Sequence, residues 1–186
     1  MKTLTEILNE YGSDKARGPQ PKGTRGHCYG SSYENLFSAF DRESNIEILE
    51  IGVQFGGSLL AWKDYFPNST VTGVDIVDVR KHKSNEVTFI KSDVKSPDLL
   101  NKLGNNYSII IDDGSHKLQD VEYVVNNFVG KLRKGGILVI EDCQQPEVWL
   151  SHIESLVSKD YDISSIDTRD APGAPKDDFL IIIEKK

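Results

Sequence analysis

The sequence predicts an α/β domain in which helices cover both faces of a mostly parallel sheet. Short apolar runs alternate with segments whose apolar residues recur at helical spacing. The first run leads into a glycine-rich turn, and several runs end abruptly in acidic residues. Strands that alternate with helices are joined by right-handed crossovers, and such units build a doubly wound sheet.

The predicted strands are short and rich in β-branched residues, as expected of strands buried on both faces. They span residues 46–51, 70–75, 87–90, 107–111, 137–140, 161–166 and 179–183. Helical spacing predicts helices over residues 2–10, 33–40, 58–65, 97–103, 117–129 and 147–157. Residues 13–30 are rich in glycine, proline and charge and are expected to form a loop. Gly135 and Gly136 are expected to turn the chain into the fifth strand.

Length and composition limit the functional class. A chain of 186 residues can bury a proper core, and we expect one domain over residues 1–186, with an N-terminal cap (1–44) and a core (45–186). The net charge of −7 argues against nucleic acid as a partner, because phosphate binding needs clustered Lys and Arg. The two cysteines do not suggest a disulfide framework. The hydropathy of the chain suggests neither a signal peptide nor a membrane span. We therefore expect a cytoplasmic protein with no membrane partner.

Acidic residues and glycines at successive strand ends predict a nucleoside site. In open α/β sheets, ligands bind at the carboxyl ends of the strands, and glycines there let backbone approach a ligand. Asp75 is placed to accept both hydroxyls of a ribose, and Asp93 to face an adenine amino group. The predicted cofactor-binding residues are Glu50, Gly52, Gly57, Ser58, Asp75, Asp93 and Asp112.

The charge of this edge indicates which nucleoside it binds. The strand ends show no lysine placed to hold a phosphate, and an acidic edge favours the ammonium and sulfonium groups of S-adenosylmethionine over NAD or ATP. The alternative is that each acid only caps a helix or faces water.

Three further carboxylates predict a metal site. Asp113 follows one strand and Glu141 and Asp142 follow its predicted neighbour, while His116 lies just beyond the first turn. Crowded carboxylates repel one another unless a cation joins them, and carboxylate oxygens suit Mg²⁺. Histidine commonly serves as a general base. We therefore assign Asp113, Glu141 and Asp142 as metal ligands and His116 as the base. The alternative for His116 is a solvent-facing turn residue.

Several motifs together carry a family resemblance. They are Tyr11-Gly12-Ser13-Asp14-Lys15, His27, Tyr29, Tyr33-Glu34, residues 48–53 and 56–59, Trp62, residues 65–67, 73–76 and 112–116, Gly135-Gly136 and Glu141-Asp142. This combination resembles the S-adenosylmethionine-dependent O-methyltransferases of macrolide deoxysugars, such as the mycinamicin and rhamnosyl 2-O-methyltransferases. The resemblance extends over about residues 11–142.

The resemblance implies a Rossmann-like methyltransferase fold with a seven-stranded sheet and an antiparallel last strand. It also implies that Mg²⁺, held by Asp113, Glu141 and Asp142, orients the acceptor hydroxyl and lowers its pKa, and that His116 removes the proton. The expected partner is a small-molecule acceptor, a sugar or a glycosylated natural product. A homo-oligomer is compatible with the sequence.

Two functions of different classes stay open. One is a Mg²⁺-dependent O-methyltransferase, and the other is a nucleoside- or S-adenosylmethionine-binding protein of the same fold that transfers no methyl group. A related small-molecule enzyme on this scaffold lies between them. The combination of metal ligands and His116 favours an enzyme, because a binding protein has no need of a general base.

Overall fold

The computed structural model describes residues 2–16, 26–78, 80–81 and 84–186. The strands are β1 (Glu47–Ile51), β2 (Thr70–Asp75), β3 (Thr88–Lys91), β4 (Tyr107–Asp112), β5 (Leu132–Ile140), β6 (Tyr161–Asp167) and β7 (Phe179–Lys185). Within the described residues they form a seven-stranded sheet in the order β3-β2-β1-β4-β5-β7-β6. The pairs from β3 to β5 are parallel, whereas β7 runs antiparallel to both β5 and β6. The predicted Rossmann-like fold with an antiparallel last strand is therefore confirmed.

Helices cover both faces of this sheet. They are α1 (Leu4–Glu10), α2 (Gly30–Phe37), α3 (Gly57–Tyr65), α4 (Pro97–Lys102), α5 (Leu118–Phe128) and α6 (Pro146–Leu156), with a 3₁₀ turn at Val129–Lys131. Alternate residues of each strand face opposite layers. In β4, Ile109 and Ile111 pack in the layer with α1, α2 and α3, whereas Ile110 packs in the layer with α4, α5 and α6. Every helix in the described ranges is too short or too polar to cross a bilayer.

Helix α1 begins at a complete capping box. The Thr3 hydroxyl accepts a hydrogen bond from the Glu6 backbone N–H, and the Glu6 carboxylate accepts one from the Thr3 backbone N–H. These bonds satisfy two donors that a helix start otherwise leaves open. The buried face of α1, with Leu4, Ile7 and Leu8, joins the layer that covers the first face of the sheet.

Two details of the predicted elements are wrong. Gly135 and Gly136 lie inside β5, which begins at Leu132, and not at a turn before it. The pairing of β4 with β5 shifts at this point, and Gly135 has a φ of 68°, so the glycines form a bulge within the strand. Helix α2 begins at Gly30, inside the predicted loop, where Gly30 packs directly against Thr5 of α1. Residues 17–25 of that loop lie outside the described part of the chain.

Candidate functional site

A cavity of about 1110 Å³ opens at the carboxyl ends of the parallel strands. Its walls come from the ends of β1, β2, β3 and β4 and from the turn after β5. It straddles β1 and β4, where the strand order reverses direction, which is the usual ligand-binding position in such sheets. Eight aspartates and three lysines line it. The edge is therefore mainly but not wholly acidic, since Lys95, Lys117 and Lys176 contribute to the wall.

Four of the seven predicted cofactor-binding residues line this cavity. They are Gly52, Asp75, Asp93 and Asp112. The Asp75 carboxylate accepts hydrogen bonds from the backbone N–H groups of Val53 and Gln54, at 2.9 and 3.1 Å. It thereby ties the end of β2 to the glycine-rich turn after β1. Burial, with a smaller contribution from neighbouring Asp113, raises the pKa of Asp112 to about 7. We call Asp75, Asp93 and Asp112 the cavity acids.

Gly52 is required for a reason other than ligand approach. Its φ is 82°, and a Cβ added there would lie 1.9 Å from the carbonyl oxygen of Asp113. The turn after β1 therefore packs backbone against backbone on the turn after β4. Gly57 also faces protein, since an added Cβ would lie 2.4 Å from the carbonyl oxygen of Tyr11.

Glu50 and Ser58 lie behind the cavity wall. Glu50 is fully buried, and its carboxylate accepts hydrogen bonds from the Ser58 hydroxyl and the Trp62 indole, each at 2.7 Å. Burial raises the pKa of Glu50, while Lys15, at 3.4 Å, opposes that shift. In this geometry Glu50 organises the start of α3 and does not reach the cavity.

A buried lysine lies among the acids at the strand ends. The Lys15 side chain is 1% exposed, and its Nζ lies 2.5 Å from Asp113 Oδ2 and 2.9 Å from Glu141 Oε2. Burial alone would lower the pKa of Lys15, but Asp113, Glu141 and Glu50 raise it well above its usual range. We call Lys15, Glu50, Asp113 and Glu141 the lysine cluster.

Two tyrosines of the N-terminal segment hold the acidic pair after β5. The Tyr29 hydroxyl donates to Asp142 Oδ1 at 2.7 Å, and the Tyr33 hydroxyl donates to Glu141 Oε1. Burial raises the pKa of both Glu141 and Asp142. Glu141 is therefore held at both oxygens, by Lys15 and by Tyr33, and it is not among the described residues that line the cavity.

His116 lies at the cavity wall beside two of the predicted metal ligands. Its Nε2 is 3.8 Å from Asp113 Oδ1 and 3.9 Å from Asp142 Oδ2. Asp113, His116 and Asp142 each offer one ligand atom, and these atoms lie within 4.8 Å of one another. The carboxylate oxygens of this group suit a hard divalent cation such as Mg²⁺, and the imidazole lies beside them. This geometry fits Asp113 and Asp142 directly, whereas Glu141 would have to exchange its contact with Lys15.

The backbone around this group is strained. In the described part of the chain, Gln54, His116 and Asp142 are the non-glycine residues with left-handed φ, at 46°, 51° and 55°. All three line the cavity. Such conformations persist where surrounding structure imposes them, and they cluster at functional sites.

A second histidine contributes to the same wall. His27 Nδ1 lies 2.6 Å from Asp178 Oδ1 and 3.3 Å from Asp142 Oδ1, and the ring stacks on Tyr29. Burial lowers the pKa of His27, but Asp178 and Asp142 together raise it to about 9. From sequence, His27 and Tyr29 are equally compatible with lid and packing roles, and nothing in the local pattern points to Asp178.

Comparison with known proteins gives relatives for part of the chain. No protein-family model matches it. Over 128 residues it is 36% identical to 8-demethyl-8-alpha-L-rhamnosyl tetracenomycin-C 2′-O-methyltransferase of Streptomyces olivaceus, which covers 63% of this chain. Over 132 residues it is 32% identical to demethylmacrocin O-methyltransferase of Streptomyces fradiae, which covers 66% of this chain. The chain spans about a third of these relatives, 34% and 33% of their lengths.

A solved structure gives the same fold. The chain superposes on the MycE methyltransferase of the mycinamycin biosynthetic pathway, a structure in complex with Mg and SAH, with a TM-score of 0.76. The match has 22% identity and covers 99% of this chain and 55% of the other. The predicted resemblance is therefore confirmed: the chain is related in sequence to O-methyltransferases of these names, and it has the methyltransferase fold.

Proposed function

We propose that the protein is an S-adenosylmethionine-dependent O-methyltransferase that acts on a hydroxyl of a sugar or a glycosylated natural product. One observation carries the proposal: His116 and two carboxylates converge on the wall of a cavity whose other half carries the cavity acids. The sequence relatives named as O-methyltransferases support the reaction class. The rhamnosyl group in the name of one of them supports a deoxysugar glycoside as the acceptor.

The proposed cofactor half lies at the ends of β1, β2 and β4. Asp75 would accept the ribose hydroxyls, Asp93 would face the adenine, and Gly52 and buried Asp112 would form the floor. The excess of aspartates over lysines in the wall suits a cofactor with ammonium and sulfonium groups. Glu50, Gly57 and Ser58 would act from behind, by fixing the start of α3.

The proposed metal half lies at the ends of β4 and β5. Asp113 and Asp142 would hold Mg²⁺ directly, and Glu141 would join them by exchanging its contact with Lys15. When bound, Mg²⁺ would orient the acceptor hydroxyl and lower its pKa, and S-adenosylmethionine would supply the methyl group.

His116 is the proposed general base. Its Nε2 faces the gap between Asp113 and Asp142, close to where an acceptor hydroxyl would lie. An imidazole in this position could take the proton of an acceptor hydroxyl. The two carboxylates stabilise the imidazolium that forms.

The test compares two histidine variants. His116→Ala should lower methyl transfer to a panel of rhamnosides and other deoxysugar glycosides by about 10²–10⁴-fold. His152→Ala is the matched control, because His152 is partly exposed on α6 and pairs with Glu122 away from the cavity. Calorimetry should show S-adenosylhomocysteine binding essentially unchanged in both variants.

The same assay separates the two functional classes. Turnover that depends on Mg²⁺ and stops with EDTA supports the enzyme. An unaltered rate of methyl transfer in His116→Ala would show that His116 is not the general base. Cofactor binding with no metal-dependent turnover on any acceptor would favour a binding protein of the same fold.

A further inference from the structure

Lys15 enters the site from the N-terminal segment and not from the sheet. It follows α1, and its side chain reaches the ends of β1, β4 and β5. Three carboxylates surround its ammonium, those of Asp113, Glu141 and Glu50, at 2.5, 2.9 and 3.4 Å. A lysine is rarely buried unless such partners satisfy it, so these contacts fix the position of Lys15.

Lys15 lies behind Asp113 with respect to the cavity. Asp113 Oδ2 contacts the Lys15 ammonium, while Oδ1 is the oxygen near His116 Nε2. Asp113 and His116 line the cavity, but Lys15 is not among the described residues that do so. The lysine therefore supports the Asp113 carboxylate from its far side and does not occupy the space between Asp113, His116 and Asp142.

Asp142 shows the same division of oxygens. Tyr29 holds Oδ1 from behind at 2.7 Å, and Oδ2 is the oxygen near His116. Carboxylates that bind metals are commonly held by such outer partners, whose loss typically lowers metal affinity about 10–100-fold. Asp113 and Asp142 are thus each held at one oxygen by side chains of the N-terminal segment.

We propose that Lys15 is a positioning residue for the divalent cation, which fixes Asp113 by one oxygen so that the other faces the site. The inference rests on the metal in the proposed function. It is the opposite of a role in which the ammonium competes with the cation for Asp113.

The experiment measures Mn²⁺ binding to the purified full chain by electron paramagnetic resonance of the free ion. Lys15→Met, which keeps most of the length of the side chain and removes its charge, should weaken Mn²⁺ binding by about 10–100-fold. Lys131→Met is the matched control. Lys131 is also a buried lysine, but its Nζ contacts Leu100, Gly104 and Asn105 at the opposite end of the sheet. The Lys131→Met variant should be less stable than the wild type and should bind Mn²⁺ with unchanged affinity.

A second variant protects the test against misfolding. Lys15→Met leaves buried carboxylates without their cation, and such a loss can unfold a protein. Lys15→Met/Glu50→Gln removes one of those charges, and Glu50 is not a proposed metal ligand. The double variant, compared with Glu50→Gln alone, should show the same loss of Mn²⁺ affinity with circular dichroism unchanged.

The outcomes are distinct. Tighter Mn²⁺ binding in Lys15→Met would mean that the lysine competes with the cation. Equal Mn²⁺ binding in folded variants would mean that Lys15 only stabilises the fold. Either result overturns the inference. A wild-type protein that binds no Mn²⁺ overturns the inference together with the metal in the proposed function. Weakened Mn²⁺ binding in a protein that transfers no methyl group would refute the proposed reaction and leave the role of Lys15 intact.

Discussion

The lysine cluster and the cavity acids lie at the same edge of the sheet but have opposite surroundings. In the lysine cluster, Glu50 and Glu141 are held by ammonium, hydroxyl and indole donors and do not line the cavity. Among the cavity acids, Asp75 is held by backbone N–H groups and faces the open space. An acidic residue at a strand end therefore has no fixed role; the layer that its side chain faces decides its partner.

Side-chain alternation explains most of this difference. Glu50 follows Ile48, Asp113 follows Ile111 and Glu141 follows Val139 at a spacing of two, and all three apolar residues pack in the layer with α1, α2 and α3. Asp112 follows Ile110, which packs in the other layer. The described buried residues of the N-terminal segment pack on the face of the sheet that α1, α2 and α3 cover, and so Lys15 meets one set of acids.

The largest effect should come from breaking the junction between the two regions. Gly52→Ala should cost about 3 kcal/mol or more in the free energy of unfolding, because the methyl group collides with the backbone of Asp113 in addition to the left-handed strain. Urea denaturation would measure it. Gly135→Ala is the control, since Gly135 has a φ of 68° but no heavy atom within 4 Å of an added Cβ. It should cost about 1–2 kcal/mol. Equal costs would show that the close approach to Asp113 is unimportant.

A smaller effect should separate the ligands of the two regions. Asp75→Asn should raise the dissociation constant of S-adenosylhomocysteine about 10–100-fold, because a charged acceptor of two ribose hydroxyls is lost. Mn²⁺ binding should stay unchanged. Asp162→Asn, on β6 beside Lys186, is the control variant and should affect neither. Unaltered cofactor affinity in Asp75→Asn would mean that Asp75 only caps the turn after β1.

The smallest effect should appear in the pH dependence of stability. Burial raises the pKa of Glu50 in the folded state above its usual 4.5, so folding favours the protonated form. The contribution of Glu50 to wild-type stability should therefore fall as the pH rises from 4.5 through the folded-state pKa, with a slope of about 1 kcal/mol per pH unit between those two values. Glu50→Gln has no such proton to lose. Unfolding in urea with EDTA from acid to neutral pH should show the variant gaining on the wild type, and parallel curves would contradict the assignment.

Much of the fold could be predicted from sequence because its signals are local. The apolar run over residues 70–75 predicts the bounds that β2 has, and helical spacing predicts α5 to within a residue at each end. Local sequence does not distinguish a turn from a bulge at Gly135 and Gly136, because both use the same glycine conformation. The two differ only in whether the flanking residues of β5 pair with β4.

The site was harder to predict because its contacts are distant in sequence. Lys15 and Glu141 are 126 residues apart, and no local pattern indicates that they meet. Side chains alternate between the two faces of a strand, and this alternation puts Glu50 on the same face as Asp113 and Glu141. That signal could have placed Glu50 with these two acids, and not among the cofactor-binding residues. The assignments of His116 as base and of the three metal ligands stay predictions.

The left-handed backbones of Gln54, His116 and Asp142 have a consequence for evolution and engineering. Glycine or asparagine would adopt these conformations with less strain, so the present residues lower the stability of the protein. A selection for heat tolerance alone would replace them early, and would thereby alter three positions in the wall of the cavity. If Gln54, His116 and Asp142 were retained in a library of variants selected for heat tolerance, a requirement other than folding would have to explain it.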